Sequence, residues 1–340
     1  LLSALGLAKD LEITKVTNTH IGPIRYIETI TKLIWVRLTV RPQVYILGFR
    51  GHDIFLPVRL ITLGKPLIFD EFINIYDWVV LEHKKFPQDS FIAKTVKFYS
   101  RLCLQTSTRI ITDTNLNADF SSSLHGIPRE KYFTIYVGTD EETFRSEPES
   151  RSIDKELSVF FYGTMLPLHG VNIILKTIKS LAHTSIKFVI IGGKDNKKVP
   201  EQISTFISKH HIQNLLYKPW VDYKYLPEYI NKADICLAGP FGGTSQAKKV
   251  ITGKAFQFIS MGKPTVIGSI NEAAGFQDKY NAIVIKQNSS KALSDAILWA
   301  DSHREKLQNI GNRGRQLFEA RFSNQIICKK LQRLIKETLV

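Results

Sequence analysis

Short apolar runs alternate with longer amphipathic segments along the whole chain. In the first half the runs predict strands at residues 12–16, 44–48, 66–72, 109–114 and 132–137. Segments with helical periodicity separate these strands, at residues 24–40, 55–64, 90–104 and 118–125. Strands that alternate with helices in this way are typical of a parallel, doubly wound sheet.

A second series of the same kind follows. Its predicted strands are at residues 157–162, 187–191, 215–218, 235–238, 265–267 and 282–285. Its predicted helices are at residues 171–181, 201–210, 225–233 and 252–262, with one after Ser289 and Ser290 and another after Ser323, beyond a break at Gly311–Gly314. The pattern predicts an α/β chain with two doubly wound halves, which would leave a cleft between them.

The polar stretch at residues 139–156 lacks periodicity and contains Pro148, so we predict a linker there. The domains are then residues 1–145 and residues 146–322, and the last helix, residues 323–340, is a candidate to pack back on the first domain. A doubly wound domain usually opens on a strand and a tight loop. Neither precedes Leu1, so we expect an amino-terminal piece, including the first strand, to be missing.

Charge separates the two halves more clearly than composition does. The chain has 340 residues, of which 44% are hydrophobic, and a net charge of +15. Residues 1–150 hold 18 Lys/Arg and 17 Asp/Glu, whereas residues 151–340 hold 28 and 14. Phosphorylated ligands, an anionic membrane surface or nucleic acid could each explain a basic half, but the lysines lack the interleaved aromatic residues of a nucleic-acid platform.

Two further features limit the class of protein. No apolar run approaches the roughly 20 residues that a membrane span requires. The three cysteines are far apart and odd in number, which indicates a reducing compartment and favours neither a disulfide framework nor a zinc site.

The stretch from residue 234 to residue 269 predicts a strand, a glycine-bearing loop, a helix and a parallel strand. The loop carries Thr244 and Ser245, and three lysines lie close to the helix start: Lys248, Lys249 and Lys254. Free backbone N–H groups at a helix start, small hydroxyls and lysines suit an anionic ligand such as a diphosphate. The alternative is a solvated basic face.

A second loop of this kind follows the predicted strand at residues 157–162. Gly163 and Thr164 end that strand, and His169 and Gly170 stand at the start of the next helix. This helix start is again a candidate anion site. The alternative is a tight turn with an exposed, solvated His169.

Four segments carry a family resemblance, namely FFYGTMLPLHGV at residues 160–171, ADICL at 233–237, KVITGKAFQFISMGKPTVIGS at 249–269 and VGTDEETF at 137–144. They resemble the family 4 (Glycosyl transferases group 1) glycosyltransferases of GT-B fold. The resemblance implies two Rossmann-like domains facing a cleft, a nucleotide-sugar donor held mainly by the second domain and an acceptor held mainly by the first. It also implies transfer with retention of configuration, no metal requirement and no cofactor beyond the donor.

The donor-side residues are assigned by position in this resemblance. Four of them depart from the usual pattern: Thr164 stands where Arg is common, His169 where Lys is common, Gln257 where Glu binds the ribose, and Lys249 where an acidic residue is common. Gln can still bond a ribose hydroxyl, and Lys249 could contact a phosphate. The implied donor-binding set is Gly163, Thr164, His169, Thr244, Lys249, Lys254 and Gln257, with Lys254 also catalytic.

The acceptor-side residues come from strand ends in the first half. Asp70 and Glu71 end the strand at residues 66–72, and Asp70 is the catalytic candidate that would orient an acceptor hydroxyl or stabilise the anomeric carbon. Arg50, His52 and Asp53 follow another strand. The alternative for Asp70 and Glu71 is a capping or loop-bonding role, and the alternative for His52 is a solvated loop side chain. The helix at residues 24–40 could also dock on an anionic membrane, or simply pack on the sheet.

The function predicted is transfer of a sugar, of hexose type, from a nucleotide diphosphate sugar to a glycan or lipid-linked acceptor, as in polysaccharide biosynthesis. A cytoplasmic protein at the inner face of a membrane is the expected location. Two alternatives are a nucleotide-sugar epimerase of the same fold and a catalytically silent binding subunit, which the altered signature makes plausible.

Overall fold

The computed structural model describes residues 1–145, 156–196 and 198–339. Contacts divide the chain into two compact units. The first unit is Leu1–Tyr136 with Ile327–Val340, and the second is Val137–Ile326. Residues 146–155 of the predicted linker lie outside the described residues.

The first unit contains a four-stranded parallel sheet in the order β1-β2-β3-β4. Its strands are β1 (Tyr45–Leu47), β2 (Leu67–Asp70), β3 (Arg109–Thr112) and β4 (Tyr132–Thr134). Its helices are α1 (Leu2–Leu5), α2 (Ile24–Thr39), α3 (Phe55–Ile61), α4 (Phe91–Thr106) and α5 (Asn115–His125). The last helix, α12 (Asn324–Leu339), belongs mainly to this unit.

The apolar strands of this sheet are covered on both faces, as parallel strands usually are. Helices α2 to α5 supply buried residues to one face, where they meet Leu67 and Phe69 of β2. The intervening residue, Ile68, points to the other face and packs with α1 and α12. Alternate strand residues therefore serve two different helix layers.

The second unit contains a six-stranded parallel sheet in the order β10-β9-β8-β5-β6-β7. Its strands are β5 (Ser158–Gly163), β6 (Lys187–Gly192), β7 (Leu215–Lys218), β8 (Ile235–Leu237), β9 (Thr265–Gly268) and β10 (Ile283–Ile285). Its helices are α6 (Val171–Ser180), α7 (Lys198–Lys209), α8 (Leu226–Lys232), α9 (Gly253–Ser260), α10 (Ser290–Ser302) and α11 (Arg304–Arg321). The predicted α/β class with two parallel sheets is confirmed.

Two details of the sequence prediction are wrong. Residues 12–16 form no strand. The expected break at Gly311–Gly314 lies inside α11, which continues to Arg321. A Cβ at Gly311 would collide with the carbonyl oxygen of Gly262, so glycine here allows a helix to approach a loop closely rather than ending the helix.

The described residues also contain a π-helical turn, Asp77–Glu82, that the sequence did not indicate. Among the helices of the described chain, none combines the length and apolar character of a membrane span.

Candidate functional site

The strand order of the second sheet locates a ligand site. From β5 the chain runs outward through β6 and β7, then returns to the other side of β5 to form β8, β9 and β10. The order therefore reverses between β5 and β8, and ligands of open α/β sheets bind outside the carboxyl ends of the strands at such a point. The loops after β5 and β8 are the two predicted anion sites, so the topology brings them side by side.

The two loops pack tightly against each other. The amide of Gly242 donates to the carbonyl oxygen of Leu168, 2.9 Å away. Gly170 is left-handed, with φ of 66°, and a Cβ there would lie 2.6 Å from the carbonyl carbon of Phe241. Only glycine satisfies both conditions, so Gly170 fixes the start of α6 against the loop after β8.

Lys254 reaches from this second loop into the first. It lies in the first turn of α9, after Thr252, whose hydroxyl donates to the carbonyl oxygen of Ala238 at 2.8 Å. Its side chain is only 6% exposed, and its Nζ lies 5.3 Å from the ring centroid of Phe161. A Cβ at Gly163 would lie 3.4 Å from Nζ, so glycine leaves this ammonium accessible from the end of β5.

In the part of the chain that the structure describes, the buried Lys254 ammonium has no acidic group nearby to compensate its charge. Burial lowers the pKa of Lys254 from 10.5 to about 7, and no neighbouring acidic group raises it again. Within the described residues, Lys254 has neither a hydrogen-bond acceptor nor an ion-pair partner. A buried cation without a counterion is the arrangement that an anionic ligand would stabilise.

His169 lies beside Lys254. A Cβ at Gly163 would be 3.2 Å from its Nδ1, so these three residues form one cluster. Burial, followed by the positive charge of Lys254, strongly lowers the pKa of His169. The ring is therefore neutral, and because Nδ1 accepts from the amide of Leu166 at 3.2 Å, its proton is on Nε2. His169 can donate one hydrogen bond without adding charge. It is buried, which excludes the alternative of an exposed, solvated His169.

Thr244, Lys249 and Gln257 have other neighbours. The hydroxyl of Thr244 accepts from the amide of Ala247 at 3.1 Å, which shapes the loop locally. Lys249 is 8% exposed, and its Nζ donates to Ser245 Oγ at 3.2 Å. The structure thus gathers Gly163, His169 and Lys254, while Lys249 and Thr244 belong to the loop beside them. Thr164 is exposed at the end of β5.

Gln257 lies one turn after Lys254 on α9 and is held by two tyrosines. Its Oε1 accepts from the hydroxyl of Tyr162, and its Nε2 lies 3.4 Å from the hydroxyl of Tyr223. Burial raises the pKa of Tyr162, so this hydroxyl remains a donor at all physiological pH values. An amide keeps one further donor hydrogen and one further lone pair, so Gln257 retains capacity for a ligand hydroxyl.

In the first unit, three carboxyl groups gather at the ends of β2 and β3. Burial raises the pKa of Asp70 to about 6, that of Glu71 to about 8 and that of Asp113 to about 7. Glu71 accepts hydrogen bonds from Asn74 Nδ2 at 2.8 Å and Ser121 Oγ at 2.6 Å. Glu71 and Asp113 are almost fully buried, whereas Asp70 is partly exposed.

The other acceptor-side candidates have local partners. The Asp53 carboxylate lies 3.9 Å from the guanidinium of Arg50 and 3.7 Å from that of Arg25. Burial lowers the pKa of His52 to about 4, and its ring packs edge-on against Phe69 with centroids 4.8 Å apart. His52 is therefore a neutral, buried residue, and the structure gives Arg50 and Asp53 a loop-stabilising ion pair.

A protein-family comparison identifies the second unit. The model described as Glycosyl transferases group 1 matches residues 143–317, about half of the chain. The chain belongs to this family. The match contains the whole cluster of Gly163, His169 and Lys254, and it confirms the resemblance seen in the sequence.

Solved structures show the fold of this glycosyltransferase over nearly its whole length. The Anabaena protein Alr3699/HepE, in complex with UDP and glucose, aligns with a TM-score of 0.71 at 13% identity, over 95% of this chain and 85% of that chain. Sucrose-phosphate synthase from Thermosynechococcus elongatus aligns with a TM-score of 0.70 at 13% identity, over 94% and 80%. A glycosyltransferase from Rickettsia africae gives 0.69 at 12%, over 97% and 84%. These likenesses confirm the GT-B fold. No curated protein matches the chain in sequence.

Sequence reasoning missed Tyr162 and Tyr223 of this family member. Tyr162 directly precedes Gly163, so its place at the carboxyl end of β5 was a usable signal. Tyr223 is separated from Gln257 by α8 and β8, and nothing in the sequence pairs the two residues. Within the described residues, no cluster of three or more His, Cys, Asp and Glu side chains could hold a metal ion.

Proposed function

We propose that this glycosyltransferase moves a sugar from a nucleotide diphosphate sugar, specifically a UDP-sugar, to a glycan or lipid-linked acceptor with retention of configuration. Family membership supports sugar transfer, and the UDP and glucose bound by the similar Anabaena protein support the choice of donor. A hexose is the sugar that we propose for transfer.

One observation carries the proposal, namely the buried, uncompensated ammonium of Lys254 at the switch point of the second sheet. In our proposal the donor diphosphate lies against this ammonium and the amides that follow Gly163. As the bond to the sugar breaks, negative charge grows on the leaving diphosphate. A fixed positive charge in a poorly solvated position stabilises that charge more strongly than it stabilises the intact donor.

The neighbouring residues have supporting roles in this scheme. His169 donates from Nε2 to an oxygen of the donor, Lys249 and Thr244 contact the phosphates from the adjacent loop, and Gln257 bonds the ribose. The amide of Gln257 is a weaker hydrogen-bond acceptor than the carboxylate that is usual at this position. In our proposal the two tyrosines compensate for this by fixing the orientation of the amide.

On the acceptor side we propose Asp70 as the group that orients, or accepts a proton from, the acceptor hydroxyl. With a pKa of about 6, Asp70 is mostly ionised near neutral pH, and its partial exposure leaves it reachable. Glu71 is buried and hydrogen-bonded, so we assign it the task of holding the loop after β2.

Binding of nucleotides tests the donor site directly. A thermal-unfolding panel of nucleoside diphosphates and their sugars should show stabilisation by UDP, worth about 2.7 kcal/mol at a hundred times the dissociation constant. Lys254→Ala should remove this stabilisation. Lys306→Ala, which removes an exposed lysine of α11, is the matched control and should leave it intact. Equal UDP affinity in both variants would contradict the assignment.

Turnover separates transfer from the two alternatives. A transferase releases free UDP only when an acceptor is present. An epimerase interconverts nucleotide sugars without an acceptor, and a silent subunit binds UDP-sugar without converting it. Chromatography of a labelled donor with and without acceptor glycans distinguishes all three.

A further inference from the structure

Helix α2 has two apolar stripes, only one of which is used by the fold. Leu33 and Val36 are buried against the sheet. The opposite stripe is exposed to solvent, with Trp35 at 62% and Leu38 at 66% of full exposure. It consists of Ile24, Ile27, Ile34, Trp35 and Leu38.

The exposed stripe continues on the neighbouring helix. The guanidinium of Arg37 on α2 donates to the carbonyl oxygen of Leu63, just after α3, at 3.0 Å, which holds the two helices together. Helix α3 and this loop expose three leucines at helical spacing, Leu56, Leu60 and Leu63. These three residues and the five of the α2 stripe form what we name the α2–α3 face.

Positive charge surrounds the α2–α3 face. Helices α2, α3 and α4 together carry seven Lys/Arg and one Asp/Glu, although residues 1–150 as a whole are almost neutral. The one acid of these helices, Glu28, is already paired with Lys32 at 2.6 Å and His20 at 2.9 Å, and Asp53, just before α3, lies 3.7 Å from Arg25. Helix α4, which lies beside α3, exposes Phe91 and Phe98 among its cations.

We propose that the α2–α3 face docks on a bilayer that contains anionic phospholipids. Soluble proteins rarely leave so many large apolar side chains side by side on one surface. An apolar stripe with a tryptophan, bordered by Lys and Arg and nearly free of uncompensated acids, matches the boundary between headgroups and acyl chains. Each cation near such a surface contributes about a fivefold gain in affinity, whereas a neutral bilayer offers no such gain.

Vesicle co-flotation tests this proposal with chemically matched variants. The full chain should bind vesicles of phosphatidylcholine with phosphatidylglycerol, bind pure phosphatidylcholine weakly, and lose affinity as salt rises. Leu38→Ser with Leu60→Ser should weaken binding at least tenfold. Leu216→Ser with Leu298→Ser, two exposed leucines of the second unit, should not change it.

A second measurement reports contact with lipid at one residue. Brominated lipid should quench tryptophan fluorescence when vesicles are added, and Trp35→Phe should abolish most of that quenching. UDP affinity should be the same in every variant, so this proposal can fail while the donor site stands.

Three results would overturn the proposal. They are failure of the full chain to bind anionic vesicles, equal binding by both leucine pairs, and quenching that survives Trp35→Phe. Self-association that disappears in the Leu38/Leu60 variant, without vesicle binding, would assign the face to a second copy of the chain. Capture of an acidic protein without vesicle binding would likewise refute the membrane assignment.

Discussion

Binding of a nucleoside diphosphate should draw a proton into the protein, and Lys254 should be the residue that takes it. Burial lowers the pKa of Lys254 from 10.5 to about 7 in the ligand-free chain. At 1.36 kcal/mol per pKa unit, holding the ammonium charged costs on the order of 5 kcal/mol. This destabilisation of the folded state is fully present below about pH 7 and is lost as the pH rises from 7 towards 10.5. A diphosphate beside Nζ offsets it and raises the pKa of Lys254 again.

The size of the effect follows from these values. At about pH 8.5, which is roughly 1.5 units above the ligand-free pKa, only a few per cent of the free protein carries the Lys254 ammonium. The complex carries it almost completely, so binding should take up about one proton. Affinity should fall about tenfold for each pH unit above 7, because deprotonation of Lys254 then competes with binding.

Titration calorimetry in three buffers of different ionisation enthalpy gives the number of protons as the slope of observed against buffer enthalpy. At about pH 8.5 the wild-type slope for UDP should be close to one. Lys254→Arg keeps a positive charge that cannot be lost, so its slope should be close to zero. Lys306→Ala should match the wild type.

Two outcomes would refute the reasoning. A wild-type slope near zero would mean that Lys254 is already charged in the free protein or does not meet the diphosphate. An unchanged slope in Lys254→Arg would assign the proton to another group.

Three further predictions concern stability. Tyr162→Phe removes the donor to Gln257 and should lower the free energy of unfolding by about 1 kcal/mol, measured with urea, and weaken UDP binding. Gly170→Ala should lower the free energy of unfolding by about 2 kcal/mol more than Gly262→Ala does. Gly262→Ala introduces only backbone strain, about 1–2 kcal/mol, whereas Gly170→Ala adds a clash with the opposite loop. Equal losses in the two variants would contradict the packing of the two loops. Glu71→Gln should flatten the pH dependence of the free energy of unfolding. A carboxyl whose pKa is raised from 4.5 to about 8 stabilises the fold fully below pH 4.5 and loses this contribution as pH rises through 8. Denaturation at several pH values measures the profile, and an unchanged profile in the variant would exclude Glu71 as the source of the pH dependence.

The local pattern of the sequence determined most of the elements of this glycosyltransferase. Alternation of apolar runs and amphipathic segments is a property of neighbouring residues, so it predicted nearly every strand and the doubly wound class. Lys254 and Gly163 were also accessible to sequence reasoning, because each lies at a strand or helix end with a characteristic motif. Gly311, by contrast, led to the wrong prediction of a helix break. Its role is to let α11 approach a loop that is distant in the sequence, and no local pattern indicates such a contact.

Only the tertiary structure decided which chemistry these residues can perform. The low pKa of Lys254, the neutral state of His169 and the tyrosine bonds of Gln257 all depend on burial and on partners far away in the chain. The same holds for α2, whose sequence fits either a packed or an exposed helix, and whose second apolar stripe proved to face solvent. Periodicity fixes which residues share a face of an element. What covers that face, and hence its solvation and charge, is set by long-range packing, which a linear pattern does not encode.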